Sequence, residues 1–164
     1  PALRVGYLVA DWHLLSQILA VKNDSGTGAL EQMMLAEYCV NHFDDHVNKL
    51  SSTLKDKLET LVEAVKVYFG TSAEFEVPEG GIFLWVSLPE HVDTIRLSQL
   101  AAKEGIAINP GPEWSTDTKP ASSKLRLCFG HPSKKIIEEG VSKLAEICHQ
   151  EFGVPLRGAN RVRS

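Results

Sequence analysis

The stretch Lys124-Leu125-Arg126-Leu127-Cys128-Phe129 alternates strictly, with Leu125, Leu127 and Phe129 on one side and Lys124, Arg126 and Cys128 on the other. Successive strand residues point to opposite faces, so this pattern gives a strand with one face for a core and a cation on the other. Upstream, Ile82-Phe83-Leu84-Trp85-Val86-Ser87-Leu88 reads as a second strand, apolar on both faces and so expected to be covered on both. It follows the tight connection Pro78-Glu79-Gly80-Gly81 and ends at Pro89-Glu90. Glu74–Val77 and Ile106-Ala107-Ile108 read as shorter strands, and Thr94 to Glu104 as an amphipathic helix closed by Gly105. Asn109 to Trp114 is a loop, Ser115–Ser123 a polar stretch, and Ser133 caps a final helix reaching about Phe152. Strands interleaved with helices make residues 71–153 an α+β unit.

Toward the amino terminus the period changes to that of helices. Val47, Leu50, Leu54, Leu58, Leu61, Val62, Val65 and Phe69 recur at helical spacing up to Gly70, with Asp44 or Asp45 as N-cap. A helix of about 24 residues, roughly 36 Å long, is more than a small domain needs and suits a bridge between two domains. Ala29 to Asn41 forms a separate helix, the turn formers Asn23–Gly28 precede it, and His13–Val21 is helical. The opening PALRVGYLVA reads as a buried strand, Leu3–Ala10, with Arg4 set into it. A loose polar segment is the usual start of a chain, so this beginning reads as an internal position of a longer one, or as a strand that a partner covers. The tail Arg157–Ser164 has three arginines and no apolar pattern, which predicts mobility.

Composition narrows the function classes. A net charge of −4 and an isoelectric point near 5.9 leave no broad basic face for nucleic acid. No apolar run approaches the ~20 residues that cross a bilayer, so no membrane association is expected. Cys39, Cys128 and Cys148 are scattered, odd in number and off any zinc spacing, a usage that suits a reducing cytoplasm.

Four features carry candidate chemistry. Arg4, in an otherwise apolar strand, needs an anion, unless it snorkels from an edge or forms a salt bridge. Arg126 projects a planar guanidinium, the natural bidentate partner of a carboxylate, although outward-facing polar residues commonly alternate in this way. His42-Phe43-Asp44-Asp45-His46 looks like an H-x-x-E-H zinc pattern with aspartate for glutamate. It falls where one helix is expected to end and another to begin, so capping by the aspartates outweighs a metal and no metal site is assigned. Phe83, Trp85 and Trp114 either line a pocket or simply fill core.

Several of these segments together resemble class I/II aminotransferases, the fold-type-I enzymes of pyridoxal phosphate (PLP). PALRVGYLVA resembles the segment after their cofactor lysine, P-G/A-L-R-x-G-Y, and HFDDHVNKLSSTLKDK their long interdomain helix, with Asn48-Lys49 where paired arginines often stand. PEGGIFLWVSLPE is similar to P-x-G-G-x-F-x-W-x-x-L, AINPGPEW to V-x-P-G-x-x-F, and KLRLCFGHPSKKIIEEGVSKLAE to the closing L-R-L-x-F strand and its helix. The match runs to about Gly153 and looks nearest the branch of 2-aminoadipate and aromatic or kynurenine aminotransferases.

The resemblance implies a small C-terminal domain with a short, mainly antiparallel sheet and helices on one face, preceded by a long interdomain helix and one strand of the large domain. It divides the chain into residues 1–43 (the end of the large PLP-binding domain), 44–70 (interdomain helix), 71–153 (small domain) and 154–164 (mobile tail). It gives Arg4 the PLP phosphate and Arg126 the substrate α-carboxylate, in a cytoplasmic homodimer acting on an amino acid and a 2-oxo acid. The Schiff-base lysine is expected just upstream of Pro1, so the chain itself carries no catalytic residue and should be inactive alone. Two alternatives remain: the aminotransferase-like sensor module of a GntR-type transcriptional regulator, and a non-catalytic interaction domain. A metalloprotease ranks last.

Overall fold

From Ala29 to Tyr68 the sequence has neither glycine nor proline, and nothing in it stops a helix. The computed structural model, which describes residues 3–156, contains α1 (Trp12–Val21) and then a single α2 (Ala29–Tyr68) of 40 residues. The expected break at Asn41–Asp44 is therefore absent, because aspartate in mid-helix costs well under a kcal/mol per residue while a new helix nucleus costs more. Gly70, at φ 57°, takes the left-handed conformation just past the end. The chain divides into two units, one ending at Lys49 and the other beginning at Leu50, and that boundary falls within the range of α2.

In the first unit Asp11 caps α1, its carboxylate accepting from the Leu14 amide at 3.1 Å, and no residue of α1 is buried. Leu3–Ala10 is not a strand. It has no regular structure, Tyr7 and Val9 are exposed, and Arg4 stands exposed at φ 54°. A lone extended segment gains nothing from strand geometry without a neighbour to pair its amides and carbonyls. Pro1 and the arginine tail at 157–164 lie outside the described residues.

The second unit holds the core. A three-stranded antiparallel sheet, in the order β1 (Phe83–Ser87), β3 (Lys124–Cys128), β2 (Asn109–Pro110), is interleaved with α3 (Thr94–Lys103) and followed by α4 (Lys134–Phe152). Leu84, Val86, Leu125 and Leu127 turn one face of the sheet into a single cluster. Leu58, Leu61, Val62 and Val65 of α2, Leu97 and Ala101 of α3, and Ile137, Val141, Leu144 and Cys148 of α4 complete it. The other face carries Phe83 and Trp85, both half-buried, so the expected cover on both faces of β1 is only partial.

Two expected strands move or shrink. Glu74–Val77 contributes one bridge, Glu74 to Ser87, before Pro78 interrupts the run. Ile106–Ile108 gives way to Asn109–Pro110, because the Ile106 amide is spent on the Ala101 carbonyl at 2.9 Å in the turn that ends α3. The cap at Ser133 and the stop at Gly105 stand as read: Ser133 accepts from Ile136, and Gly105 at φ 77° closes α3, as Gly153 at φ 70° closes α4. Val154 then folds back into the core, its carbonyl bonded to His149.

Two outcomes follow. A Cβ on Gly111 would lie 2.4 Å from the Ala121 carbonyl oxygen and 2.6 Å from that of Lys124. Gly111→Ala is therefore expected to lower stability by about 1–3 kcal/mol in a urea titration, since backbone, not a pliant side chain, is in the way. Burial pushes the Cys148 thiol from the ordinary 9.0 up to about 12. The folded chain thus keeps a proton that the unfolded chain releases, a contribution fully present below pH 9 and lost as pH rises towards about 12. Stability measured across that range should fall less steeply in Cys148→Ala than in the parent chain.

Candidate functional site: a guanidinium between two aromatic rings

Because Leu125 and Leu127 are fixed in the core, Arg126 must leave β3 on the opposite face. The register places Trp85 of β1 directly across from it on one side and Asn109 of β2 on the other. Phe83 lies two residues from Trp85 on that same face. Trp114 arrives from the turn Gly111–Trp114, which Pro110 and Pro112 stiffen and which Gly111 seats against the Ala121 and Lys124 carbonyls.

These elements enclose one cation. The Arg126 guanidinium carbon lies 3.4 Å from the centre of the Trp114 ring and 3.7 Å from that of Phe83. Two rings cannot share one side at such distances, so they cover opposite faces of the guanidinium. Nη2 donates to Asn109 Oδ1 at 3.4 Å, a long contact, and Nε is buried with no hydrogen-bond partner among the described residues. Among the described residues no acidic side chain pairs with Arg126. Ring stacking of this kind contributes ~0.5–2 kcal/mol, but it leaves a buried N–H unsatisfied at a cost of ~1–3 kcal/mol. The walls offer the cation no acceptor of their own, and a flat anion meeting the outer edge of the guanidinium would add one there.

The remaining candidates belong to the first unit. Arg4 belongs to the first unit and has no ion-pair or hydrogen-bond partner among the described residues. His42 and His46 do lie one turn apart, because α2 is continuous, so neither aspartate between them caps anything. The Tyr38 hydroxyl meets His46 Nδ1 at 3.3 Å, and its ring lies beside that of His42. Among the described residues no three His, Cys, Asp or Glu side chains gather as metal ligands, so the third ligand of the zinc pattern is not in place. The sequence pattern marked Arg126 and left Phe83 and Trp114 open between pocket and core. Asn109 it missed, though its place beside Pro110-Gly111 was the available signal.

Fold and site together define a class. The sequence profile described as "Aminotransferase class I and II" matches residues 1–144, and the chain belongs to that family. Its α+β small domain is that of the fold-type-I aminotransferases. The aromatic-amino-acid aminotransferase 1 of Thermococcus litoralis is 27% identical over 155 residues, covering 93% of this chain and 37% of that protein. The HTH-type transcriptional regulator NorG of Staphylococcus aureus is 33% identical over 148 residues, 88% of this chain and 33% of the regulator. The crystal structure of a multiple substrate aminotransferase from Thermococcus profundus superimposes with a TM-score of 0.73 at 30% identity, over 88% of this chain and 36% of the enzyme. The chain therefore spans about a third of the length of the relatives it matches.

If Arg126 is held for a ligand and not for the fold, its removal should be cheap. Arg126→Ala is expected to change unfolding free energy by no more than ~1 kcal/mol, since the lost stacking is offset by relief of the unsatisfied Nε. A loss of ~3 kcal/mol or more in chemical denaturation would make Arg126 a structural member instead.

Proposed function

We propose that this chain is the carboxylate-binding part of a PLP-dependent aminotransferase that moves an amino group between an amino acid and a 2-oxo acid. The observation that carries this reading is the guanidinium of Arg126, walled by Phe83 and Trp114 and without a counter-ion among the described residues. In this reading Arg126 grips the substrate α-carboxylate edge-on and so fixes the direction of the Cα–H bond. Asn109, which accepts from Nη2, holds that edge in place.

The cofactor reading rests on Arg4. An exposed guanidinium without an ion-pair partner among the described residues has donors that fit one side of a phosphate, so Arg4 would hold the PLP phosphate. When bound, PLP supplies the electron-withdrawing ring that makes the substrate Cα–H acidic. The domain reading goes with it: residues 1–43 close a large PLP-binding domain, 44–70 bridge, 71–153 form the small domain and 154–164 a tail. With the Schiff-base lysine upstream, the chain alone is inactive, and the whole protein is a cytoplasmic homodimer. No helix among the described residues is long and apolar enough to cross a membrane.

A second reading has its own support, the 33% identity to the NorG regulator over 148 residues. There the same carboxylate site senses an amino acid without transforming it, and DNA contact belongs to another part of the protein.

Borohydride reduction of the protein from its natural source, followed by intact mass, tests the first reading. The expected product is heavier than 18.1 kDa and carries one reduced pyridoxyl group. In that protein Arg126→Ala should raise KM for both the amino acid and the oxo acid by about tenfold or more, the size of a lost charge-assisted bond. A mass of 18.1 kDa without adduct turns the function from catalysis to binding.

A further inference from the structure

We propose that Phe83 and Trp114 make the Arg126 site a slot selective for planar carboxylates over tetrahedral oxyanions. The inference rests on the carboxylate-binding reading above and adds which shape of anion the site admits. With the guanidinium carbon 3.4 Å from one ring centre and 3.7 Å from the other, both faces of the cation are closed. Only its edge is left for a ligand. Nε is withdrawn from solvent, and Nη2 already leans on Asn109, so the ligand meets the outer nitrogens in the plane of the guanidinium.

That plane also lies between the two walls. A carboxylate is flat and pairs with a guanidinium through two parallel, coplanar bonds. Its oxygens then reach the rims of the rings, where the C–H edges are electropositive, and not their negative faces. An indole is wider than a guanidinium, so with its ring centre 3.4 Å from the guanidinium carbon Trp114 extends past the cation. A phosphonate or sulfonate placing two oxygens in the plane must thrust a third out of it, against one of the rings. It either forfeits one of the parallel bonds or displaces a wall. Charge alone predicts the opposite order, because a phosphonate carries at least as much negative charge as a carboxylate at neutral pH.

The walls are fixed to different degrees. Phe83 stands on β1, whose neighbours Leu84 and Val86 are in the core, so its backbone is held by the sheet. Trp114 is 52% exposed and rides on a short turn held by Gly111. Trp114 is therefore the wall that can be removed without disturbing the fold, and it is a positioning residue acting through Arg126.

The test uses the chain with 15N-labelled arginine. The Arg126 Nε–H, buried and so slow to exchange, should give a resolved signal, assigned by its loss in Arg126→Lys. Acetate and methylphosphonate are titrated separately at constant ionic strength and neutral pH. In the parent chain acetate is expected to bind about tenfold more tightly, the loss of one of two bonds. In Trp114→Ala, and in Phe83→Leu as a second variant, the preference should collapse to about twofold or less, by the same arithmetic. Methylphosphonate binding as tightly as acetate in the parent chain overturns the slot while leaving the carboxylate site intact. An acetate preference that persists in both variants overturns the role of the rings. If neither anion moves the signal, the carboxylate-binding reading itself fails, and the slot with it.

Discussion

Everything in the second unit hangs on the burial of one face of β3. Leu125 and Leu127 are nearly inaccessible and pack in the cluster that also holds α2, α3 and α4. Burying side chains of this size contributes ~1.5–3 kcal/mol each, so a slip of one residue in the register would forfeit several kcal/mol and bury a guanidinium besides. The same constraint fixes Arg126 on the open face, opposite Trp85 and beside Asn109. The core thus aims the cation without touching it.

A surface cation commonly pairs with a carboxylate of its own chain. Arg96 does so here, meeting Glu151 at 2.8 Å, and Lys143 reaches Glu104 at 2.6 Å, holding that carboxyl below its ordinary range. Arg126 has walls where those residues have counter-ions. Aromatic faces orient a guanidinium and shield it, yet they cannot neutralise it. Its charge therefore stays available to a ligand, and its direction is set before the ligand arrives. That combination lowers the ordering cost of binding, because the long side chain has already lost its rotamer freedom.

What could be read from the sequence was whatever depends on near neighbours. The two-residue period of Lys124–Phe129, the cap at Ser133 and the stop at Gly105 are local, and each stands in the structure. The readings that failed depend on partners far along the chain. Leu3–Ala10 has strand-like residues, but strandhood needs a neighbour. Ile106 has the composition of a strand, but its amide was claimed by the end of α3. The aspartates at 44 and 45 looked like caps because capping residues are recognised by type, while the absence of glycine and proline across Ala29–Tyr68 said more. Arg126 itself was legible from its alternation. The meeting of Phe83 and Trp114 over it was not, since 43 residues separate Phe83 from Arg126 and only the fold joins them.

The distribution of apolar residues carries the argument one step further. Every member of the core cluster lies between Leu58 and Val154, whereas Tyr7, Trp12, Val21, Leu30, Met33 and Phe43 are exposed. Apolar area is expensive to leave in water, so the two units differ in kind: one has its own core, and the described residues of the other have an apolar surface and no buried side chain of their own. The Arg126 arrangement draws on residues 83–126 alone, all within the unit that has the core. Its geometry is thus secured by the packing of its own unit, and anion recognition is the property of this chain that needs the fewest parts.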